Sequence, residues 1–255
     1  MTKFKNILTV VWEWLFVLNF AVMQIILYYP LKFLFAKESR WSASMKLQRF
    51  WAGWLRVTMG VQIIIDYEVP LEPGAVYIFT PNHTSFLDIL VAYKFIPGYF
   101  HFMAKSTLAK VPLFGIMFSK THIPFERSSS LESSKAFDKA CADIRKGYCI
   151  LVYPEGTQNS RKGTLLPFKS GAFKMSVKMN IPVVPVTCLN NLEVLPHQSE
   201  LFKPRSGGPG KVYIKVGKPI YPQECDQDHT KLSGKVSDIM LNHLHSYYET
   251  DKRNR

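Results

Sequence analysis

Hydrophobic and polar positions change their spacing twice along the chain. From Ile7 to Ala36 the residues are almost all apolar, and Glu13 and Lys32 carry the only charges. A run of this length is typical of a membrane helix, and it lacks the small-residue cleavage site of a signal peptide, so we expect it to be retained. Because Pro30 interrupts the run, a single spanning helix, a re-entrant helical pair in one leaflet and a buried core hairpin are all open.

The next segment, Trp41 to Met59, predicts an amphipathic helix. Its apolar residues recur at alternating steps of four and three, with aromatic rings on one face and cations at the edge of that face and behind it. This pattern suits a helix that lies at the membrane interface against anionic headgroups. The apolar positions are Ala43, Leu47, Phe50, Trp54 and Val57, and the cations are Lys46, Arg49 and Arg56.

After Gly60 short β-branched and aromatic runs alternate with helical patterns, which predicts an α/β domain. We therefore expect membrane-anchoring helices over residues 1–60 and one globular domain over residues 61–255. Strands are predicted at Val61–Asp66, Val76–Thr80, Phe100–Ala104, Thr121–Phe125, Cys149–Tyr153, Val183–Leu189 and Val212–Val216. Helices are predicted at about Ser85–Phe95, Val111–Ser119, Ser134–Lys146, Ser170–Lys178 and Thr230–Tyr248.

The charge of the chain narrows the class of its partners. The 255 residues include 32 basic and 19 acidic ones, a net charge of +13, and residues 1–60 hold eight basic and two acidic residues. Such an excess favours an anionic partner: nucleic acid, a lipid surface, a phosphorylated metabolite or an acidic carrier. No nucleic-acid-binding module is present, so no nucleic-acid partner is expected. The four cysteines have neither metal-site spacing nor a disulfide pattern, and no metal or organic cofactor is expected.

The stretch most informative about chemistry begins at the end of a predicted strand. Here His83 precedes a predicted helix, and Ser85 and Asp88 form a capping-box-like pattern at its start. A helix that starts at Ser85 would let Asp88 reach the imidazole of His83 and hold its tautomer for proton transfer. Without a side-chain nucleophile at fixed spacing, such a dyad implies acyl transfer to an alcohol of the substrate. The alternative is a capped helix beside an ordinary loop histidine.

Further motifs follow in order. Together with Pro81–Asp88 they resemble those of the glycerolipid acyltransferases, and most closely the 1-acyl-glycerol-3-phosphate acyltransferases, which make phosphatidic acid. The resemblance implies a mixed central sheet flanked by helices, preceded by a membrane-embedded segment, with the reaction carried out in residues 61–255. The further motifs are Ile123–Arg127, Tyr153–Gly163, Leu165–Phe173 and Ile181–Val186.

By this resemblance, His83 matches the general base that deprotonates the sn-2 hydroxyl of lysophosphatidic acid, and Asp88 matches the carboxylate that orients it. Lys105 and Arg127 match cations that bind the acceptor phosphate. The acyl donor is acyl-CoA or acyl-carrier protein, no cofactor takes part, and anionic membrane lipids are further partners. The remaining positions matched to the acceptor site are Glu155, Gly156 and Thr157.

One departure from the family pattern leaves the acceptor open. Where relatives carry an arginine after the threonine, this chain has Gln158, with Arg161 and Lys162 as nearby cations. Another lysolipid or glycerol 3-phosphate is therefore an alternative acceptor, and a non-catalytic membrane lipid-binding protein is a rival from another class. A thioesterase would need water as its acceptor. An enzyme with a membrane-borne acceptor and a cytosolic donor is expected on the cytoplasmic face of the cell membrane.

Overall fold

A computed structural model of the chain describes residues 2–111, 113, 115–116, 122–125, 129–195 and 207–253. Within them, seven strands form one sheet in the order β1-β7-β6-β2-β5-β3-β4, and all seven predicted strands are present within a few residues of their predicted bounds. The strands are β1 Val61–Tyr67, β2 Ile78–Pro81, β3 Phe100–Lys105, β4 Ile123–Phe125, β5 Cys149–Val152, β6 Val183–Cys188 and β7 Gly210–Val216.

The helices follow the predicted pattern closely. They are α1 Thr2–Phe35, α2 Trp41–Thr58, α3 Leu87–Phe95, α4 Ser130–Arg145, α5 Gly171–Met179, the single turn α6 Asn191–Val194 and α7 His229–Arg253, with 3-10 turns at Glu38–Arg40, Ser106–Lys110 and Pro222–Cys225. The helix predicted at Val111–Ser119 falls largely outside the described residues. Pro30 lies inside α1, which continues for five further residues.

The sheet is mixed, and its strand directions decide where a site can form. Neighbours in the run β6, β2, β5, β3 and β4 pair in parallel, whereas β7 runs antiparallel to β6 and carries β1 beside it. The carboxyl ends of the five parallel strands therefore meet at one edge. In open α/β sheets this edge is the usual place for a ligand.

Successive residues of a strand point to opposite faces, and the two faces carry different helices. On β2, Phe79 belongs to a buried cluster with α1, α2 and α3, whereas Ile78 belongs to a second cluster with α4, α5 and α7. The buried side chains of α1 and α2 thus share one core with the sheet. The division at residue 60 stays a prediction about sequence organisation.

The N-terminal helices bury only one stripe each. On α1, buried residues recur every three or four positions, and apolar side chains around them stay exposed. On α2, Phe50, Trp54 and Val57 are exposed, whereas Trp51 and Leu55 are buried. A core hairpin would be buried on most faces, so this pattern argues against that alternative. Helix Ile7–Phe35 has the length and hydropathy to cross a membrane.

Candidate active site

The predicted site residues follow neighbouring parallel strands. His83 and Asp88 come after β2, Glu155 comes after β5, and Lys105 ends β3. Because these strands are adjacent and parallel, their ends place the three groups along one edge in that order. Arg127, which would follow β4, lies outside the described residues.

His83 and Asp88 are in direct contact. The His83 Nδ1 lies 2.8 Å from the Asp88 Oδ2. The Asp88 side chain is fully buried, whereas the imidazole keeps 15% of its surface exposed. No group in the described part of the chain hydrogen-bonds to Nε2 of His83. An ionised Asp88 at this position favours the tautomer with the proton on Nδ1, and this leaves the Nε2 lone pair free to accept a proton.

The start of α3 explains how Asp88 reaches back to His83. Its Oδ2 also accepts hydrogen bonds from the backbone N–H groups of Thr84 and Ser85, at 2.6 and 2.8 Å. The Ser85 hydroxyl accepts from the N–H of Leu87 and donates to the carbonyl of Leu195. The helix therefore begins at Leu87, two residues later than predicted, and only the carboxylate half of the capping box forms. The predicted placement of Asp88 in the first turn is present.

A second oxygen of Asp88 has a partner from a distant part of the chain. Its Oδ1 accepts a hydrogen bond of 2.7 Å from the Nδ2 of Asn191, the first residue of α6. Asn191 is fully buried. The sequence pattern gave no sign of this contact, because 103 positions separate the two residues.

The backbone of His83 is held on both sides by the motif after β5. Its N–H donates to the Glu155 Oε1 at 2.9 Å, and its carbonyl accepts from the Asn159 N–H at 2.7 Å. The other oxygen of Glu155 accepts from the N–H of Leu166. Burial raises the pKa of Glu155, although these hydrogen bonds oppose the shift. Both carboxylate oxygens thus have backbone partners, and the buried Glu155 side chain also lines the cleft beside the site.

An aromatic ring supports the imidazole. The ring of Tyr153 stacks on His83 with a centroid separation of 4.0 Å and an interplanar angle of 21°. The Tyr153 hydroxyl is buried and has no hydrogen-bond partner among the described residues. Burial raises the pKa of this hydroxyl well above its usual value, so it stays neutral. The motif alone did not indicate the stacking.

A cleft of about 770 Å³ opens beside the motif that follows β5. Gly156 and Thr157 line it, and Gly156 has a backbone φ of +73°, a conformation that favours glycine. Much of the remaining lining is apolar, contributed by Met103, Phe125, Phe137, Val152, Leu166 and Met175. A cleft lined by apolar side chains together with polar ones such as Thr157 and Lys169 fits an amphipathic ligand.

The predicted phosphate ligands are only partly placed. Lys105 is exposed at the end of β3, opposite Phe125 of β4 in the strand register. Of the two cations near Gln158, Lys162 forms an ion pair of 3.0 Å with Glu193, and Arg161 is exposed. The structure therefore places Lys105 on the same edge as His83, with β5 between their strands.

Comparison with known proteins identifies the family. The sequence model of the Acyltransferase family matches residues 62–189, half of the chain. The chain belongs to the acyltransferase family. The resemblance predicted from the motifs is thus confirmed, and the match spans both dyad residues and the segment after β5. It ends one residue before the loop that contains Asn190 and Asn191.

Curated relatives of this family bear the name predicted from the motifs. A chloroplastic 1-acyl-sn-glycerol-3-phosphate acyltransferase from Brassica napus is 29% identical over 64% of this chain and 46% of its own length. A 1-acyl-sn-glycerol-3-phosphate acyltransferase from Saccharomyces cerevisiae is 30% identical over 74% of this chain and 61% of its own. The chain thus spans about half the length of these two relatives.

A solved structure shares the whole fold. The crystal structure of the 1-acyl-sn-glycerophosphate (LPA) acyltransferase PlsC from Thermotoga maritima superimposes with a TM-score of 0.77, covering 97% of this chain and 98% of that chain at 20% identity. The predicted fold class, a mixed central sheet flanked by helices, is confirmed. The likeness includes the N-terminal helices, since nearly the full length of both chains is covered.

Proposed function

We propose that this chain transfers a fatty acyl group from acyl-CoA or acyl-carrier protein to the sn-2 hydroxyl of lysophosphatidic acid, giving phosphatidic acid. The observation that carries the proposal is the contact between His83 Nδ1 and Asp88 Oδ2, with Nε2 left without a described partner. The family and the names of the curated relatives support the same reaction.

In the proposed reaction, His83 Nε2 takes the proton of the acceptor hydroxyl as its oxygen attacks the thioester carbonyl. The imidazolium that forms is stabilised by the carboxylate of Asp88, which has three further hydrogen-bond donors. Collapse of the tetrahedral intermediate breaks the carbon–sulfur bond and releases the thiol carrier, which receives the proton from the imidazolium. The nucleophile belongs to the substrate, so no covalent acyl-enzyme forms.

The described residues with binding roles in this proposal follow β3 and β5 at the same edge of the sheet as His83. Lys105 and Arg127 bind the acceptor phosphate, with Gly156 and Thr157 beside it at the cleft. Glu155 contributes to the acceptor site by holding its backbone, because its two oxygens accept hydrogen bonds from the N–H groups of His83 and Leu166. The apolar wall of the cleft suits a hydrocarbon chain. Catalysis needs neither a metal nor an organic cofactor in this scheme.

Attachment to a membrane fits both the substrates and the surface of the protein. The exposed apolar residues of α1 and α2 form an extended surface of the kind that marks a lipid or protein contact. The basic residues of the first 60 positions would add attraction to anionic lipids. We propose that the chain binds the cytoplasmic face of the cell membrane, where the acceptor is in the bilayer and the donor in the cytosol.

A second candidate keeps the chemistry and changes the acceptor. Gln158 supplies no charge, and the ion pair between Lys162 and Glu193 engages one of the nearby cations. A lysolipid without a phosphomonoester would need fewer cations. The alternative acceptors are other lysolipids and glycerol 3-phosphate.

The proposal is tested by an acyl-transfer assay in detergent micelles or vesicles, read by mass spectrometry. Acyl-CoA and acyl-carrier protein are each offered with lysophosphatidic acid, glycerol 3-phosphate, another lysolipid or no acceptor. His83→Ala should abolish transfer while thermal unfolding and vesicle binding stay as in the wild type. His245→Ala, which alters an exposed histidine on α7, is the matched control and should leave transfer unchanged.

Each result has a distinct meaning. Phosphatidic acid made by the wild type and not by His83→Ala supports reaction and acceptor together. Preference for another lysolipid retains the dyad and contradicts the phosphate role of Lys105. Thioester loss without an acceptor indicates hydrolysis. Equal transfer by wild type and His83→Ala would overturn the dyad, and no transfer with any pair would favour a lipid-binding protein.

A further inference from the structure

We propose that Asn191 is a positioning residue of the His83–Asp88 dyad: its side-chain amide holds Asp88 in the orientation that directs Oδ2 to the imidazole. This inference rests on the proposed function and extends it to the loop after β6. The described hydrogen bond of the Asn191 side chain is to Asp88 and not to His83, so its proposed effect on the reaction passes through Asp88.

The chemistry of the contact determines which way the amide points. Oδ2 of Asp88 accepts from His83 Nδ1, Thr84 N–H and Ser85 N–H, and as a carboxylate Asp88 offers only an acceptor at its remaining oxygen. The Nδ2 of Asn191, 2.7 Å away, is therefore the donor. The amide oxygen Oδ1 is left buried and without a partner among the described residues. Since a buried unpartnered carbonyl costs stability, an amide chosen for stability alone would not stand here.

The backbone around Asn191 is anchored on both sides, so the amide has little freedom. The side chain of Asn190 donates to the carbonyl of Lys211 and accepts from the N–H of Tyr213, both at 2.9 Å. At the other end of α6, the carbonyl of Leu195 accepts from the Ser85 hydroxyl at 2.7 Å. These contacts fix α6 to β7 and to the start of α3. The amide of Asn191 thus approaches Asp88 from a rigid support.

Besides His83, three neutral groups donate hydrogen bonds to the Asp88 carboxylate. They are the backbone N–H groups of Thr84 and Ser85 and the side-chain amide of Asn191. Together they spread its charge and fix its rotamer. Without Nδ2, the N–H groups of Thr84 and Ser85 still keep Oδ2 beside the imidazole, but the carboxylate is held less rigidly and its charge is less dispersed. The first effect lowers kcat. The second stabilises the imidazolium, so the acidic limb of the pH profile of kcat moves to higher pH.

The other titratable groups that face the dyad do not produce the same signal. Burial raises the pKa of Tyr153 and of Cys188 well above their usual values, so both stay neutral through the working range. Burial also raises the pKa of Glu155, which contacts the backbone of His83 and is not altered by a change at Asn191. A displaced acidic limb in an Asn191 variant therefore reports on His83 and Asp88.

The test compares Asn191→Leu and Asn191→Asp with Asn190→Ala. Leucine is close in size and lacks the donor, whereas aspartate is isosteric and adds a carboxyl group beside Asp88. Asn190→Ala is the matched control, because it removes a neighbouring asparagine from the same loop without removing a contact to the dyad. Full-length proteins in micelles are assayed for kcat, for KM of both substrates and for the pH profile, beside thermal unfolding and His83→Ala.

For both Asn191 variants we expect kcat to fall about 10- to 100-fold, the range seen when an outer hydrogen-bond partner of a functional group is removed. KM should stay within about twofold, and the acidic limb should move to higher pH, further for aspartate than for leucine because of the added charge. Asn190→Ala removes an anchor of α6 and retains the Asn191 amide, so it should lower stability, reduce kcat less than Asn191→Leu does and keep the wild-type pH profile.

Unchanged kcat and an unmoved acidic limb in folded Asn191 variants, with His83→Ala inactive, would overturn this inference alone. Failure of both variants to fold would also overturn it, since Asn191 would then be a structural residue. The same holds if Asn190→Ala gives the same loss and the same pH displacement. Transfer that persists in His83→Ala instead refutes the proposed function, whatever the Asn191 variants do.

Discussion

The imidazole of His83 lies flat against the ring of Tyr153, and their centroids are 4.0 Å apart. The contact uses the face of the tyrosine and leaves its hydroxyl buried without a described partner. We therefore expect the aromatic surface to be the functional part of this side chain and the hydroxyl to be dispensable. This separation can be measured with two substitutions at one position.

Tyr153→Phe should retain kcat within about twofold and keep or slightly raise the melting temperature, because it removes a buried polar group that has no partner. Tyr153→Ala should lower the free energy of unfolding by less than the ~3–5 kcal/mol that deleting a fully buried ring costs, because Tyr153 is partly buried. It should also lower kcat of the folded fraction, since the imidazole loses its support. A large loss of kcat in Tyr153→Phe would show that the hydroxyl has a role.

Asp88→Asn should reduce kcat by about 10²–10⁴-fold, the contribution of a positioned general base. The amide cannot accept from Nδ1 and two backbone donors as a carboxylate does, and it can favour the wrong imidazole tautomer. Asp138→Asn is the matched control, because Asp138 is exposed on α4 and remote in sequence from the dyad. Steady-state assays of both variants at several pH values provide the comparison. A loss below tenfold for Asp88→Asn would contradict the assigned role.

Titration of Glu155 should make the free energy of unfolding depend on pH. Burial raises its pKa above the usual 4.5, so the folded state holds this proton more tightly than the unfolded state. The stabilisation that this proton provides is fully present below pH 4.5 and is lost as pH rises through the raised pKa. Over this window the free energy of unfolding should fall by at most ~1.4 kcal/mol per pH unit.

The measurement is the melting temperature of wild type and Glu155→Gln by calorimetry at pH values from 4.5 upward. Because glutamine does not titrate, the stability of the wild type relative to the variant should decrease with pH over this window. Glu249→Gln, at an exposed position of α7, should show no such trend. A difference between wild type and Glu155→Gln that is constant with pH would contradict the expected shift.

Vesicle binding should depend on the exposed apolar residues of α2. Phe50 and Val57 are 56% and 64% exposed. If each enters the bilayer, replacing it by serine removes about 1.5–3 kcal/mol of burial, which corresponds to roughly a tenfold or larger fall in partitioning. Leu131→Ser is the matched control, because Leu131 is equally exposed, at 63%, but lies on α4. Sedimentation with anionic vesicles measures the effect, and equal losses for all three variants would argue against an interfacial α2.

The strands were predictable because each is a short apolar run between turns, and parallel strand ends converge by topology. The pairing of His83 with Asp88 was predictable because it is local and depends on a helix start. In contrast, Tyr153 reaches His83 across 70 positions, and Asn191 reaches Asp88 across 103. Such contacts depend on strand order and loop anchoring, for which a single sequence carries no local signal. The start of α3 was misplaced by two residues because Ser85 bonds to Leu195 in place of the expected turn.

The aromatic rings of α1 continue directly into the dyad segment. Phe16 and Phe20 pack edge-on against Phe86 at 6.1 and 5.6 Å, and Phe86 stands between Ser85 and the first residue of α3. Helix α1 therefore packs directly against the segment that carries the dyad. Removing residues 1–60 would delete Phe16 and Phe20, which pack against Phe86. It would also expose to solvent the face of the sheet that α1 and α2 cover. To make the exposed surface of this protein polar, one would have to replace the exposed apolar residues of α1 and α2 with polar ones. The two helices themselves would have to be kept.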